Sequence, residues 1–418
     1  MKKFSEKDAA RLPEYYDRIE AVADVLRDIS VKTPPNPKKG IKAVLGAALQ
    51  LWPIATKGNQ VHRDVYDLFT KSARSFLDSW FENEHIKAAF GFDSTVGNFA
   101  SPDTPGSAYV LLHHVFGEID GEKGVWGHAI GGMGSITQAM EKACKNMGVK
   151  IFTDAPVNKV IVKDNAAVGI ELEDGSSIVA NKIISNLNPK LLYKKLISED
   201  ELEPEFNRGM DGYKCGSGTF RMNVALAELP DFSVLPGKEV GEHHQSGIVI
   251  APTLDYMDKA YIDAKSQGWS SAPIVEMLIP STIDNTLAPD GKHVASLFCQ
   301  QFSPTMPDGS SWHDHRLAAA DTIIETVTKH APNFRESILG MMILSPLDLE
   351  EKFGLIGGDI MHGQMSLDQM WAARPLMNFG DYRGPLKSLY MCGSGTHPGG
   401  GVTGLPGKNA AREILKDV

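Results

Sequence analysis

The sequence predicts an α/β (α+β) protein: a helical region first, a mixed-sheet domain in the middle, and strand-and-helix segments on either side of that domain. Three observations lead there. Apolar residues recur at helical spacing up to about residue 115. GVWGHAIGGMGSITQAMEKACKNMGVKIFTDAP has the order strand, glycine turn, helix, strand. The chain closes on LYMCGSGTHPGGGVTGLPGKNAAREILKDV, an apolar run, a glycine loop and a helix.

Between Lys7 and Asp28, residues Leu12, Tyr15, Tyr16, Ile19, Val22, Val25 and Leu26 form one buried stripe that Ile29 continues. TPPNPKKG breaks the chain. The next run, IKAVLGAALQLWPIA, is introduced by Lys38, Lys39 and Lys42 and is shorter than the ~20 apolar residues of a spanning helix. A buried helix ended before Pro53 is expected; the alternative is an apolar face that dips into a membrane surface or lines a lipophilic entrance. VYDLFTKSARSFLDSWF gives a further helix. A helix from about Ser135 to Met147 and a strand from Val149 to Thr153 complete a βαβ-like unit. VNKVIV, AVGIELE and SSIVANKIIS then read as a three-stranded antiparallel meander. Asp174-Gly175 is expected to join the last two through a type I′ turn, in which both central residues need positive φ. From Tyr193 to about Gly354, GTFRMNVALAEL, GIVIAP, PIVEMLIP and KHVASLFCQQF are strands, while LDYMDKAYIDAKSQ and HRLAAADTIIETVTKH are helices. KSLYMCG is the closing strand, and the last helix starts at Leu405 or Gly407.

A net charge of -10 argues against nucleic acid or an anionic membrane as the main partner, and requires anionic cofactors to be held by local backbone groups. Cys144, Cys215, Cys299 and Cys392 form no CxxC-like pair, so neither a disulfide framework nor a dithiol centre is encoded. MKKFSEKDAARLPEYY has no apolar leader. A cytoplasmic location is expected, or the mitochondrial matrix for a eukaryotic source.

Two glycine clusters can carry chemistry. In GGMGSIT, Gly132, Gly134 and Thr137 stand where a dinucleotide fingerprint has three glycines, with Asp154 further on as the acidic residue. That match is partial. The terminal loop places seven glycines between Gly393 and Gly407. Strand, glycine loop and helix start aim backbone amides and a helix dipole at one spot, a seat for an anionic or electron-rich ligand. Ser394 lies on the strand-to-helix turn of a hydrolase elbow but lacks the first glycine of GxSxG. The pairs His113-His114 and His243-His244 and the run WHDH at 312–315 lack the spacing that puts two ligands on one helix face, so no metal site is expected.

Five segments, GHAIGGMGSITQAM, GVKIFTDAPVNKVIV, GIELEDGSSIVANKIISNLNP, GGDIMHGQMSLDQMWAARP and LYMCGSGTHPGGGVTGLPGKNAA, together resemble the phytoene desaturase-related flavoprotein oxidoreductases. The resemblance covers nearly the whole chain. It implies an amine oxidase-like architecture, in which a discontinuous Rossmann-like FAD/NAD(P)-binding domain (119–192 and 356–418) is interleaved with a mixed-sheet substrate domain (193–355) and a helical insertion or lid (1–118). FAD is the implied cofactor. Gly131, Gly132 and Met133 would open a helix beside the flavin-facing cavity, and the Val157 backbone would meet the adenine. Gly393 and Ser394 would lie near the ribityl chain and pyrophosphate, and Gly401, Val402 and Thr403 under the flavin ring. His362, Met365, Trp371 and His397 are implied on the substrate side, none with a catalytic role. Proteins of this group begin with a strand, GxGxxG and helix for the ADP part of FAD, and no such segment stands before residue 120. The fold is therefore expected to lack its first βαβ half, through a longer parent chain, a separate chain carrying that half, or loss of FAD.

The expected function is hydride removal from an apolar small molecule to FAD. A non-catalytic remnant or subunit acting through protein interaction is the alternative, with a Ser394 hydrolase third. Expected partners are the apolar substrate, a separate chain carrying the FAD half, and a peripheral membrane contact; nucleic acid is not among them.

Overall fold

The computed structural model describes residues 1–119 and 121–417, without the side chains of Lys42, Val44, Pro53, His113 and His114. The expectations for the Lys42 side chain and the His113-His114 pair thus lie outside the described residues.

Ser5 caps α1 (Glu6–Ser30) by accepting from the Asp8 amide, and Glu6 and Asp8 sit at the positive end of the helix dipole. The stripe read from the sequence is the inward face: Tyr15, Ile19, Val22, Val25 and Ile29 are buried, while Tyr16 turns outward. Next come α2 (Ile41–Ala55), α3 (Asn59–Thr70), α4 (Ala73–Asp78) and α5 (Glu84–Gly91). Two expectations for α2 fail. The helix passes Pro53, because the ring removes a single donor near the end and the Thr56 amide still closes the last turn on Trp52 O at 2.9 Å. Its large apolar side chains Ile41, Leu45, Leu49 and Trp52 are exposed, not buried.

A two-residue ladder, β1 (Glu118–Ile119) with β2 (Glu122–Lys123), precedes α6 (Gly134–Asn146). The βαβ-like unit does not form. Residues 124–130 and 149–153 enter no ladder, and a strand exists only beside a backbone that exchanges hydrogen bonds with it. The meander does form, from β3 (Val157–Lys163), β4 (Ala166–Leu172) and β5 (Ser177–Val179) in that order. Its two-residue turn with paired positive φ is Asp164-Asn165 (50° and 59°), joining β3 to β4. At Asp174-Gly175 only Gly175 has positive φ, because the Asp174 carboxylate accepts from the Ser176 amide and sets a different turn. The third apolar run also divides: β6 (Ile183–Ser185) leaves the meander.

After α7 (Pro204–Gly212) come β7 (Thr219–Leu226), β8 (Ile248–Ile250), α8 (Leu254–Gln267), β9 (Trp269–Leu278), β10 (His293–Phe302), α9 (Trp312–Thr328), α10 (Phe334–Ser337), β11 (Ile338–Leu344) and α11 (Pro346–Phe353). The chain ends on β12 (Leu389–Met391) and α12 (Leu405–Lys416). The five-stranded sheet runs β11-β7-β10-β9-β8 and is antiparallel throughout, where a mixed sheet was expected. Among the described residues the paired strands that run parallel are β6 and β12, with Leu389 opposite Ile183 and Met391 opposite Ser185.

Three cores follow from this layout. Successive residues of β9 take opposite faces: Val275 joins α9 (Ala319, Ile323, Val327), and Ile274 joins the helical region. That second core holds Tyr15, Leu68, Phe76 and Trp80 together with Leu254 and Met257 of α8. The third gathers Val160, Ala167, Tyr193, Phe206 and Met210 with Leu386, Leu389 and Met391, so segments far apart in the chain carry β12 jointly.

Candidate active site

Buried β12 delivers the chain to the glycine loop, with the Cys392 amide bonded to Ser185 O at 2.8 Å. Gly393, at φ +80°, lies against the backbone of Asn186: a Cβ there would stand 3.0 Å from the Asn186 carbonyl oxygen. The Thr396 amide and hydroxyl both return to Gly393 O, at 3.1 and 2.9 Å. Beyond this turn the loop opens to solvent. Gly401, Val402, Thr403 and Gly404 are exposed, and among the described residues their amides donate no hydrogen bond. Helix α12 begins at Gly404 without a side-chain cap bond, although the Thr403 hydroxyl reaches the Leu405 amide at 3.2 Å. Open amides before the positive end of a helix favour an electron-rich group.

The run 359–374 forms the floor under this loop. Arg374 has a fully buried side chain that donates to Met361 O (2.6 Å), Gly363 O (3.2 Å), Gln369 O (3.2 Å) and Ser394 O (2.8 and 2.9 Å). Asp359, also fully buried, accepts from the amides of Gly216 and Met361, both at 2.8 Å. Burial pushes its carboxyl up, and those amides oppose the shift. Met361 and Met365 stand against the loop glycines: a Cβ on Gly400 would meet Met361 Sδ at 2.7 Å, and one on Gly399 would meet Met365 Cε at 3.5 Å.

The four residues expected on the substrate side take different settings. Met365 stands against Gly399 of the loop. His362, at φ +58°, is half-buried, its carbonyl accepts from the Tyr213 hydroxyl at 2.8 Å, and its Nδ1 is buried with no hydrogen-bond partner among the described residues. Burial, aided by the Arg374 charge, holds the ring below the ordinary histidine range. Trp371, at φ +52°, also keeps a buried Nε1 with no hydrogen-bond partner among the described residues. The His397 Nε2 meets Ile29 O at the end of α1 at 3.1 Å, and burial lowers the ring to about 4. That contact ties the loop to the helical region.

The first glycine cluster forms a separate anchor. Gly131 and Gly132 take φ of +83° and +81°, and the Gly131 amide donates to Asp284 Oδ2 at 2.7 Å. Asp284 also accepts from the Thr286 hydroxyl at 2.6 Å and meets His128 Nε2 at 3.3 Å, which lowers its carboxyl to about 2, with Thr286 as the largest cause. Met133 is exposed, and Val157 is the half-buried first residue of β3. Among the described residues no hydrogen bond joins Gly131, Gly132, Met133 or Val157 to the loop at 393–404.

Sequence patterns missed Arg374, Asp359 and Asp284. The one signal for Arg374 was a cation set among apolar residues in MWAARP. For the hydrolase alternative, Ser394 contributes its carbonyl to Arg374, and no imidazole bonds its hydroxyl among the described residues. His244 is buried between the Gly241 amide and Pro230 O, and no metal-holding cluster is found among the described residues.

Strand, glycine loop and helix start are thus carried by a core assembled from segments far apart in the chain. Residues 49–219 match the family model for flavin containing amine oxidoreductase. Over 429 aligned residues the chain is 37% identical to pyridine nucleotide-disulfide oxidoreductase domain-containing protein 2 of Rattus norvegicus, spanning 99% of this chain and 74% of that protein; the chain belongs to the family of that protein. It is 24% identical to the lycopene-forming phytoene desaturase of Pseudescherichia vulneris over 83% of this chain and 67% of the relative. A putrescine oxidase triple mutant shares the fold, with a TM-score of 0.54 and 14% identity over 99% of this chain and 76% of that structure. The chain is thus an FAD-dependent oxidoreductase. The open amides of 401–404, set before the positive end of α12, suit an electron-rich group such as a flavin cofactor carries. The four cysteines remain free thiols, so the disulfide in the relative's name has no dithiol counterpart here.

Proposed function

We propose that this chain removes hydride from an apolar small molecule, with FAD, when bound, supplying the electron acceptor. The chemical character of the floor under the glycine loop carries this assignment. Met361 and Met365 face Gly400 and Gly399, and His362 is held toward its neutral form. The charged groups of the run are already engaged: Arg374 by carbonyls, Asp359 by amides, and Asp368 by exposed Lys214 at 3.1 Å. A protonated amine would find no open carboxylate in that run, whereas an apolar chain would meet thioethers and glycine. Similarity to a phytoene desaturase supports the same substrate class. The protein's part is to orient the substrate and exclude water. In an anaerobic assay of the FAD-loaded chain, phytoene or limonene should bleach the flavin band and putrescine should not. Bleaching by putrescine alone would overturn the assignment.

A partner polypeptide is supported by a separate observation. The parallel pair β6–β12 is three residues long, whereas parallel strands normally lie in wider sheets covered on both faces. No residue of α6 is buried, and Ile136 and Met140 are exposed along it. We propose that a further strand-bearing polypeptide extends the β6–β12 pair, packs on exposed α6 and completes the grip on FAD. Titration of the 418-residue chain with FAD should then give weak retention, tightened by the part of the rat relative outside the match. Equal retention with and without that polypeptide would dismiss the idea.

A further inference from the structure

Helix α2 is turned inside out. Its polar Gln50 faces inward and donates to Thr33 O at 2.7 Å, and the rest of the half-buried side is small, with Ala43, Gly46 and Ala47, up to Ile54 in the last turn. Ile41, Leu45, Leu49 and Trp52, spaced by four, four and three positions, form one outward stripe with exposures of 77%, 61%, 73% and 63%. Isolated exposed apolar residues are ordinary in soluble proteins, but a continuous stripe along a whole helix marks a surface that something covers. At 15 residues the helix is too short to span a bilayer, and no helix among the described residues is long and apolar enough to do so.

Charge selects the occupant. From Ile29 to Arg63 the chain has Lys32, Lys38, Lys39, Lys42, Lys57 and Arg63 and not one Asp or Glu, although the whole protein carries -10. Lys38, Lys57 and Arg63 are exposed. The acidic groups that approach from neighbouring elements are already paired and buried: Asp381 with Lys39 and Arg383, and Glu413 with Arg383 and Lys416. An apolar stripe bounded by lysines at both ends of its helix matches the boundary between acyl chains and anionic headgroups.

We propose that α2 docks this protein on an anionic phospholipid surface, lying in the interface plane with Leu45, Leu49 and Trp52 in the acyl region and the lysines among the headgroups. The negative charge of the whole protein does not prevent this, because salt screens charges farther from the surface than about 10 Å.

Co-sedimentation of the full chain with vesicles tests the proposal. Binding is expected to phosphatidylcholine vesicles containing phosphatidylglycerol, with several-fold weaker binding to phosphatidylcholine alone and at raised salt. Leu45→Glu with Leu49→Glu should reduce binding at least tenfold without changing the melting temperature, since both side chains already face solvent. Lys38→Glu with Lys57→Glu should abolish the preference for phosphatidylglycerol. A wild-type chain that stays in the supernatant with both vesicles overturns the proposal. So does a stripe variant that binds as well as wild type. A wild-type dimer that the stripe variant makes monomeric, with no vesicle binding, would assign the face to a second copy instead. The assay reads neither flavin nor turnover, so its failure leaves the proposed chemistry untouched.

Discussion

Arg374 donates Nε and Nη2 together to the carbonyl oxygen of Ser394, at 2.9 and 2.8 Å, from a side chain with no solvent exposure. This one guanidinium joins the floor at 361–369 to the first turn of the glycine loop, and each nitrogen has a carbonyl acceptor. Truncating it leaves several buried carbonyls without donors. Arg374→Ala should destabilise the protein by about 3 kcal/mol or more in urea denaturation, and Arg374→Lys should recover little, because an ammonium cannot span the same acceptors. An Arg374→Lys chain as stable as wild type would contradict this.

Gly393 and Gly404 test the glycine loop in opposite ways. A Cβ on Gly393 would press on Asn186, while one on Gly404 would meet nothing within 4 Å, though both residues have positive φ. Gly393→Ala should therefore cost about 2 kcal/mol and weaken FAD retention, and Gly404→Ala should cost about 1 kcal/mol, from the left-handed backbone alone. Melting curves and flavin absorbance after gel filtration would measure the two.

His397 sets an acid sensitivity. Its ring is held at about 4 in the fold, chiefly by burial, against an ordinary 6.5. The unfolded chain takes up this proton first, so the contribution is fully present above pH 6.5 and is lost as the pH falls toward 4. The loss should reach about 3 kcal/mol. His397→Gln should flatten the difference in stability between pH 7 and pH 4; an unchanged slope would place the sensitivity in other groups.

Asp284 ties the first glycine turn to the sheet domain. Asp284→Ala should free the Gly131 amide and loosen the start of α6, read as faster hydrogen exchange over 128–137. Asp284→Asn should fall between the two, since an amide oxygen still accepts from Gly131. Its carboxylate is lowered to about 2, so its contribution persists above the ordinary 3.8 and is lost only as the pH falls through 2.

Much of the local structure was legible in the residues. LDYMDKAYIDAKSQ is α8 from first residue to last, α12 starts at Leu405, and the meander at 157–179 pairs in the expected order. β11 was missed because ILGMMIL lies exposed through its middle and shows no alternation of buried and open positions. In the candidate site the strand, glycine loop and helix start were visible as a pattern. Arg374 and Asp359 were not, because their partners are backbone groups, which carry no residue signature.

The sequence by itself determined which runs are apolar, where most helices lie and where the backbone must be glycine, since these depend on periodicity and φ within a few residues; VYDLFTKSARSFLDSWF, expected as one helix, instead divides into α3 and α4 where Ser72 caps a new helix. Only the tertiary structure decided what each apolar face meets. The same 3.6-residue pattern buries Tyr15 and Ile19 in α1 and leaves Leu45 and Leu49 in solvent on α2, because amphipathicity marks a face without naming its cover. Val149–Thr153 has strand composition and no ladder, whereas Ile183–Ser185 becomes a strand by meeting Leu389–Met391 from the far end of the chain. A strand is a relation between two backbones, and one segment alone cannot specify it.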